Sequence, residues 1–505
     1  MTVDLKKIKL DSKKVNPVRK GGALDSTPLE ILISQGGLSN GVNFFRFKKF
    51  GQKYLLTNDI GHYIFLTPAQ FRDFLSGILN YKSAICQELE EKGFIKDNFN
   101  SDQAISRYRH RDSNLFYGTT LHIIVVTLGC NFRCIYCQAS SRPVEEKGYD
   151  MDLNTAKRVV DFIFKSPSPF ITIEFQGGEP LVNWPVVKFI VEYARKKNET
   201  EGKQLTISLV SNFSLMSEEK LKFLIKNKVS LCTSLDGPEK LHNKNRPWPE
   251  GKSYQITTLW IEKIKKLEKE REKKGEKMYH LSALLTVSKN SLPFPKEIVD
   301  EYLKWGFDGM HLRPLSYLGL AKNFKEKVGY SIEEFMKFWK RAVDYIIRIN
   351  LNGKLFLERG TGIMLQKILT ETDSGYTDLR SPCGAVIGQM VYNYNGKIYT
   401  CDEGRMYPDD TFLLGDIKKG NYENLLSCNK TKAMITASTL DNSPCDYCVY
   451  KPYCGVCPVL NYSIYGNLFP QLPNTDWCKR QREMFDYLFE KLQNKKIKKI
   501  FEEWV

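Results

Sequence analysis

The sequence predicts an α/β protein: a partial (β/α)₆ barrel of the TIM type, preceded by a small winged-helix-like module and followed by a cysteine-rich region. Three observations predict it. Between residues 119 and 320 six strand-length apolar runs alternate with helical periods, which implies a parallel sheet with right-handed crossovers. Residues 44–95 read as strands followed by two short helices. Beyond 375 the periodicity lapses and cysteines accumulate.

Residues 1–40 mix charge with Gly21, Gly22, Gly36 and Gly37 and hold no sustained period, which predicts a flexible arm. The module spans 41–118. FFRFKKF (44–50), YLLT (54–57) and HYIFL (62–66) read as strands, with Asn58-Asp59-Ile60-Gly61 as a turn. Thr67 reads as an N-cap, with Pro68 at N1, Gln70 completing a capping box and Leu66/Phe71 placed as a hydrophobic staple. Phe71, Phe74 and Leu75 form that helix's apolar face. A second helix turns Ile85 and Leu89 inward and stops at Gly93. This strand–turn–strand–helix–helix order resembles the peptide-recognition domains of peptide-modifying enzymes, which implies that exposed Arg46, Lys48 and Lys49 attract acidic residues of a substrate leader segment added as a strand to the sheet edge; a purely structural N-terminal cap is the alternative.

The core, 119–320, reads as strands 121–127, 171–175, 205–211, 230–236, 280–287 and 310–314, with helices such as 151–166 and 215–227 between them. Its distinctive polar motifs fall at the carboxyl ends of strands, where ligands bind in such folds. Residues 256–277 read as a charged helix with Ile256, Trp260, Ile264 and Leu267 as its apolar stripe; the run EKEREKKGEK is a solvated face rather than a nucleic-acid grip. A helical linker (321–374) leads to the cysteine-rich region (375–480). One amphipathic helix (481–505) closes the chain, bearing Phe485, Leu488, Phe489 and Leu492.

Of the 505 residues 42% are apolar and 26% charged, ordinary globular proportions that exclude wholesale disorder. No apolar run nears the roughly 18 residues that cross a bilayer. The basic start lacks an apolar h-region, so a cytoplasmic location without a membrane partner is expected. Basic residues outnumber acidic ones by 75 to 58, a net charge of +17 that suits a nucleic acid, an acidic peptide or simply a lysine-rich proteome.

Thirteen cysteines in a long chain read as metal ligands rather than as a disulfide framework. Cys86, Cys232 and Cys428 stand apart and read as structural. Cys130-x₃-Cys134-x₂-Cys137 directly follows the first core strand. Three thiolates on one tight loop can hold three irons of a cubane [4Fe–4S] cluster, leaving the fourth iron open to a substrate or cofactor. Gln176-Gly177-Gly178-Glu179-Pro180 caps the second strand; its glycines permit close backbone approach and its carboxylate can accept from an ammonium, although a plain turn would use the same residues. Cys383 and Cys401 come next, then Cys445-x₂-Cys448-x₅-Cys454-x₂-Cys457, then Cys478. Taken alone, 445–457 also fits a zinc knuckle.

VVTLGCNFRCIYCQAS, the GGEP run and SLDGPEKLHNKNR (234–246) together resemble the radical S-adenosylmethionine (SAM) superfamily, and the later cysteines resemble its SPASM domain. The resemblance implies that Cys130, Cys134 and Cys137 hold the cluster whose electron cleaves SAM, giving a 5′-deoxyadenosyl radical that abstracts hydrogen from substrate. It implies SAM contacts from Tyr136, from Gln176, Gly177, Gly178 and Glu179 toward the ammonium, from Ser234 to the ribose and from Arg246 to the carboxylate. A structural salt bridge is the competing role for Arg246. Two auxiliary [4Fe–4S] clusters are implied, three clusters in all. One rests on Cys445, Cys448, Cys454 and Cys478. The other rests on Cys383, Cys401 and Cys457, completed by an open iron or by an oxygen or nitrogen ligand. The family interval in the last closely spaced pair is three residues where this chain has two. Asp402 stands where sulfatase-maturing relatives place an aspartate that accepts the proton of an oxidised substrate radical; capping a turn is its alternative role.

FFRFKKF, YLLTNDIGHYIFLTPAQF, IEFQGGEPLVN, CTSLDGPEKLHNKNR, SPCGAVIGQ, YTCDEGRM and YKPYCGVCPV further resemble the radical SAM maturase of the His-Xaa-Ser system. That likeness implies an oxygen-sensitive enzyme acting on a ribosomally made peptide or small protein. Its implied partners are a His-Xaa-Ser-repeat substrate, a second, paired radical SAM protein and an external electron donor, not a nucleic acid. RNA modification, motivated by the charge, and a zinc-stabilised basic binding protein without catalysis are the alternatives.

Overall fold

The six apolar runs of the core join one nine-stranded sheet in the computed structural model, which describes residues 41–97, 99–276, 279–372, 374–441 and 445–505. The arm expected over 1–40 lies outside the described residues. The described chain divides into two compact units, residues 41–56 with 63–99, and Thr57–His62 with Asn100–Val505.

In the smaller unit β1 (Arg46–Phe50), β2 (Lys53–Thr57) and β3 (Tyr63–Leu66) lie side by side in that order, followed by helices Pro68–Ser76 and Ala84–Glu91. The capping box forms as expected: the Thr67 hydroxyl accepts from Gln70 N, and the Gln70 side chain accepts from Thr67 N. Phe71, Phe74, Leu75 and Leu89 are buried with Tyr54 and Phe94. Arg46 departs from the expected exposed basic strand. It is only 4% exposed, with its guanidinium 4.8 Å over the Phe44 ring; a long apolar stem and a ring partner let it be covered. Lys48 is half-buried and Lys49 exposed. The winged-helix likeness stays an inference from element order alone.

In the larger unit β4 (Leu121–Val125), β5 (Phe170–Gln176), β6 (Gln204–Ser211), β7 (Val229–Ser234), β8 (Ser282–Thr286) and β9 (Leu312–Arg313) pair in parallel in sequence order. Helices return the chain between them, among them Leu153–Ile163, Trp184–Glu201, Glu218–Lys226 and Pro295–Lys304. The ladder does not close. Beyond β4 it continues with β10 (Gln389–Tyr392), again parallel, and then β11 (Lys397–Tyr399) and β12 (Leu413–Asp416), antiparallel. A strand of the cysteine-rich region therefore pairs directly with the strand that leads into the first cysteine loop.

Strand alternation separates two faces. Ile171, Ile173 and Phe175 of β5 are buried, as are Val229, Leu231 and Thr233 of β7. The intervening Glu174, Gln176, Cys232 and Ser234 are only half-buried. The charges of Glu174 and Arg246 both act on Cys232, so these side chains share one polar lumen.

Two helices differ from expectation. The charged helix runs Ser253–Lys273 and buries Tyr254, Thr257, Thr258, Trp260, Ile261 and Ile264, whereas Ile256 and Leu267 are half-buried. Thr257 donates to Asn212 O at 3.1 Å and Thr258 to Tyr254 O at 2.8 Å, so satisfied hydroxyls take positions that hydropathy alone gives to apolar residues. The terminal helix is two, Asp476–Leu492 and Lys495–Glu503, because the Asn494 side chain accepts from Lys496 N and Ile497 N and starts a second helix. Phe485, Leu488, Phe489 and Leu492 are buried as expected. Helix Ile332–Leu351 packs against Pro295–Lys304 and Asp476–Leu492. Among the described residues no helix is long and apolar enough to cross a membrane.

Candidate functional site

Cys130, Cys134 and Cys137 occupy the loop that leaves the carboxyl end of β4. Two backbone segments clamp it. Gly178 N donates to Thr127 O at 2.9 Å and Glu179 N to Gly129 O at 2.8 Å on one side. On the other, Arg133 N donates to Pro247 O at 2.8 Å and Ile135 N to Asn245 O at 3.0 Å. Gly177 has φ +134°, and a Cβ on it would overlap Thr127 O; one on Gly178 would overlap the carbonyl oxygens of Leu128 and Gly129. Both glycines thus permit close approach to the cysteine loop itself, a backbone partner that the motif does not reveal.

Burial pushes the Cys134 thiol up to about 12, with Arg246 drawing it down and Cys137 raising it. Cys130 is raised by burial and by the charges of Cys134, Glu179 and Cys137. Three thiols, one carboxylate and one guanidinium therefore form a single electrostatic neighbourhood. Glu179 is buried, and burial raises its carboxyl against the hydrogen bonds it accepts. Oε1 takes Ser211 Oγ at 2.7 Å and Leu181 N at 3.0 Å, and Oε2 takes Asn212 N at 2.7 Å.

Arg246 donates from Nε to Asp236 Oδ1 at 3.1 Å. Asp236 Oδ2 accepts from the Tyr136 hydroxyl, whose ring lies 5.4 Å beneath the guanidinium. Burial opposes the Arg246 charge, and Asp236, Tyr136 and Cys134 more than offset it, so the group is held firmly cationic. Arg246 thus keeps the salt bridge that competed with a ligand role, and its terminal nitrogens have no protein hydrogen bond among the described residues.

Ser234 and Gln176 end their strands at the lumen, and Gln176 Nε2 donates to Glu174 Oε1 at 2.6 Å. Glu174, raised by burial, also accepts from Ser208 Oγ at 3.1 Å. The Asp402 charge adds to the raising of Glu174, and Arg313 lowers it. Asp402 opens the helix Asp402–Met406, which Cys401 caps by accepting from Gly404 N at 3.2 Å. Asp402 Oδ1 takes Arg405 Nε at 3.3 Å and Nη2 at 3.1 Å, while Arg405 Nη1 donates to Ala139 O at 3.1 Å, two residues beyond Cys137. Arg405 is thus one tie between the two cysteine regions, beside the pairing of β10 with β4.

Cys383, Cys401 and Cys457 share one buried cluster with Phe412, Met434 and Val459. Burial raises the Cys401 thiol, followed by the charges of Glu403, Cys457 and Cys383. Cys454 is raised by burial and by Cys448, Cys478 and Cys445, while Lys367 lowers it. Cys130, Cys134 and Cys137 thus lie near one another, as do Cys383, Cys401 and Cys457, and as do Cys445, Cys448, Cys454 and Cys478. Among the described residues no three His, Cys, Asp or Glu side chains are grouped as one metal ion requires.

Asp236, Glu174, Ser208, Arg313, Glu403 and Arg405 escape the sequence reading. Asp236 lies in SLDGPEKLHNKNR, where a carboxylate ten residues before an arginine is the local signal; Glu174 is hidden in an apolar strand.

Residues 124–256 match the family model of the Radical SAM superfamily. The cysteine-type anaerobic sulfatase-maturating enzyme of Clostridium perfringens is 27% identical over 374 residues, covering 72% of this chain and 95% of that protein. The radical SAM cyclopropyl synthase TigE of Paramaledivibacter caminithermalis is 23% identical over 484 residues, 90% of this chain and 91% of that one. A solved structure of native anSMEcpe with bound AdoMet and the Cp18Cys peptide superposes with a TM-score of 0.63 at 24% identity, covering 75% of this chain and 99% of that one, and shares the fold.

Proposed function

We propose that this chain, which carries a radical SAM domain over residues 124–256, is a maturase that modifies a ribosomally made peptide or small protein by hydrogen abstraction. The observation that carries this reading is the Arg405 tie, which sets Asp402 and the Cys383/Cys401/Cys457 group against the loop of Cys130, Cys134 and Cys137. Such a layout suits a substrate held between two redox centres. When bound, the iron–sulfur clusters supply electron transfer and SAM supplies the carbon radical.

The residues of this chain then divide the work. Arg246, held 5.4 Å over the Tyr136 ring and paired with Asp236, would present its remaining donors to the SAM carboxylate. Glu179 has three protein donors on its two oxygens, leaving one lone-pair direction for the SAM ammonium. Gln176, Gly177 and Gly178 would hold the same edge, and Ser234 would meet the ribose. Cys445, Cys448, Cys454 and Cys478 bind a complete auxiliary cluster, and Cys383, Cys401 and Cys457 bind the second. Asp402 would take the proton released as the substrate radical is oxidised. The names of the relatives support a polypeptide substrate: one is a sulfatase-maturating enzyme, and the anSMEcpe structure holds a peptide. A substrate with His-Xaa-Ser repeats, a paired radical SAM protein and an external electron donor complete the proposal, with residues 41–118 as the leader-binding module and 375–480 as the auxiliary-cluster domain.

Anaerobic reconstitution followed by reduction in the presence of SAM tests the reading. The protein should form 5′-deoxyadenosine, and the variant with Cys130, Cys134 and Cys137 all changed to Ala should not, while retaining its auxiliary iron. Equal product from the variant would sink the proposal.

A further inference from the structure

The segment that leads from β9 to the helix Ile332–Leu351 lies directly on the first cysteine loop. Ala321 N donates to Cys137 O at 3.0 Å. Gly319, at φ +53°, sits so close that a Cβ on it would overlap Gln138 O. Leu315, Ala321 and Val328 form a buried cluster with Tyr136, and Cys134, Ile135, Tyr317 and Tyr330 pack against it. One hydrogen bond therefore joins this segment to the backbone of a cysteine that the radical SAM reading makes an iron ligand.

The outer side of the same segment has a different character. Leu320 and Phe324 are 37% and 43% exposed. Lys322, Lys325 and Lys327 are exposed around them, against one exposed acid, Glu326. The exposed stretch that follows Cys137 is charged otherwise, with Arg142 and Lys147 offset by Glu145, Glu146 and Asp150. Apolar side chains inside a basic rim suit a protein partner of acidic charge. The segment is a 3₁₀ turn, Gly319–Phe324, and a short helix, Lys325–Val328, so it offers no strand edge for an extended peptide to join. What lies beneath it narrows the partner further. Each SAM cleaved takes one electron, which must reach the first cluster from outside. Electron tunnelling weakens steeply with distance and runs better through bonds and hydrogen bonds than across space. A carrier therefore gains most by docking where the backbone leads inward to a ligand cysteine, as it does from Ala321 to Cys137.

We infer that residues 319–328 form the docking surface for an acidic protein that carries one electron at a time, with Leu320 and Phe324 at its centre and Lys322 and Lys327 on its rim. The inference rests on the maturase reading and names the surface that receives its electron donor. In the step the carrier is oxidised by one electron and the first cluster is reduced by one; no proton or group is transferred. Lys325 also lines the cavity beyond β9 and lies 5.2 Å from the Tyr317 ring, so it stays unchanged in the variants.

Reconstituted protein is tested with an acidic plant-type [2Fe–2S] ferredoxin as the carrier and with dithionite as a reductant too small to need docking. Lys322→Glu/Lys327→Glu is compared with the parent and with Lys269→Glu/Lys273→Glu, the same change of charge at exposed positions of the helix Ser253–Lys273. Calorimetry uses oxidised ferredoxin, so no turnover occurs. At low salt the first variant should bind about tenfold more weakly and the second like the parent. The difference should vanish near 1 M salt, where surface charges are screened. Phe324→Ser should weaken binding at low and high salt alike, since apolar contact is not screened. 5′-Deoxyadenosine formation in the first variant should need correspondingly more ferredoxin, while its rate with dithionite and its iron content stay parental. Failure of ferredoxin to bind the parent, undiminished binding in the first variant, equal loss in both charge variants, or a loss that persists at 1 M salt overturns the inference. A fall in the dithionite rate would mean that the lysines serve the fold, which also overturns it. Tighter binding of an oligoglutamate peptide than of ferredoxin, lost in the first variant alone, would assign the surface to an acidic peptide instead. No 5′-deoxyadenosine from the parent with dithionite would sink the maturase reading, whereas the binding outcomes stay measurable without it.

Discussion

Arg405 binds Asp402 in a buried ion pair at 3.1 Å and, through its other terminal nitrogen, the carbonyl of Ala139 at 3.1 Å. One guanidinium therefore fixes the position of a candidate proton acceptor relative to the loop of Cys130, Cys134 and Cys137. Both partners are almost wholly enclosed, which makes the pair sensitive to loss of either member. Arg405→Met should destabilise the protein by about 3–5 kcal/mol, as breaking a buried pair does by stranding the remaining charge. The double variant Arg405→Met/Asp402→Leu should recover much of that in a denaturant titration while forming little modified product. Full product from the double variant would remove Asp402 from the chemistry.

Asp236 performs a similar service for Arg246, with the carboxylate fully buried and the arginine side chain 11% exposed. Arg246→Lys keeps the charge but gives up the planar fork. SAM should bind about tenfold more weakly to it, the loss of one charge-assisted hydrogen bond, whereas the iron content should not change. Anaerobic equilibrium dialysis reads the first and iron analysis the second; unchanged SAM affinity would return Arg246 to a purely structural role.

Gly178→Ala should act on the metal rather than on SAM alone. Its Cβ has no room against the carbonyl oxygens of Leu128 and Gly129, so the segment that positions Cys130 must shift. Overpacking of this kind costs about 1–3 kcal/mol. The iron of the first cluster should be lost selectively, seen as a drop of about four irons per chain from a total of about twelve. Loss of auxiliary iron with the first cluster intact would contradict the placement.

The fold was legible where burial is repetitive. The six strands of the core announce themselves because residues such as Ile171, Ile173 and Phe175 alternate with polar neighbours, and Thr67, Pro68 and Gln70 spell out a helix start locally. The cysteine groups were legible because thiols are scarce and closely spaced. Pairing across the chain was not. Nothing local marks Gln389–Tyr392 as the neighbour of Leu121–Val125, since a parallel pair is fixed by distant packing. Arg46 misleads for a related reason: a charge reads as exposed until its ring partner is known.

His122 gives the stability a pH dependence. It is enclosed between the Tyr392 hydroxyl at 3.0 Å and Thr119 O at 3.2 Å. Burial lowers it from 6.5 to about 3, assisted by the Lys203 charge and opposed by the Thr119 bond. Below pH 6.5 the unfolded chain takes a proton that the folded one refuses, so stability falls as pH drops, by up to about 1.4 kcal/mol per unit. His122→Gln removes that proton from both states. Urea titrations between pH 7 and pH 5 should show a slope shallower by one proton in the variant; parallel slopes would mean that the imidazole is not held neutral.

The last prediction concerns the smaller unit. Deleting residues 1–100 would be a blunt test of leader binding, because Thr57–His62 belong to the larger unit. There Thr57 Oγ1 donates to Val449 O at 2.8 Å, and Tyr453 donates to Gly61 O at 3.2 Å. Their removal would disturb the cysteine-rich region whatever the leader does. Charge reversal at the surface is cleaner. Lys48 and Lys49 lie on β1, at one edge of the three-stranded sheet, and Arg46 is excluded by its burial. Added as a strand, a leader gains backbone hydrogen bonds with little demand on sequence, and acidic residues along it are drawn to these lysines. Lys48→Glu/Lys49→Glu should weaken leader binding about fivefold at low salt, roughly 1 kcal/mol of surface electrostatics. That difference should vanish near 1 M salt, where the screening length shrinks to about 3 Å. Iron content and SAM cleavage should stay as in the parent. A loss that persists at high salt, or no loss at any salt, would move the leader to another surface.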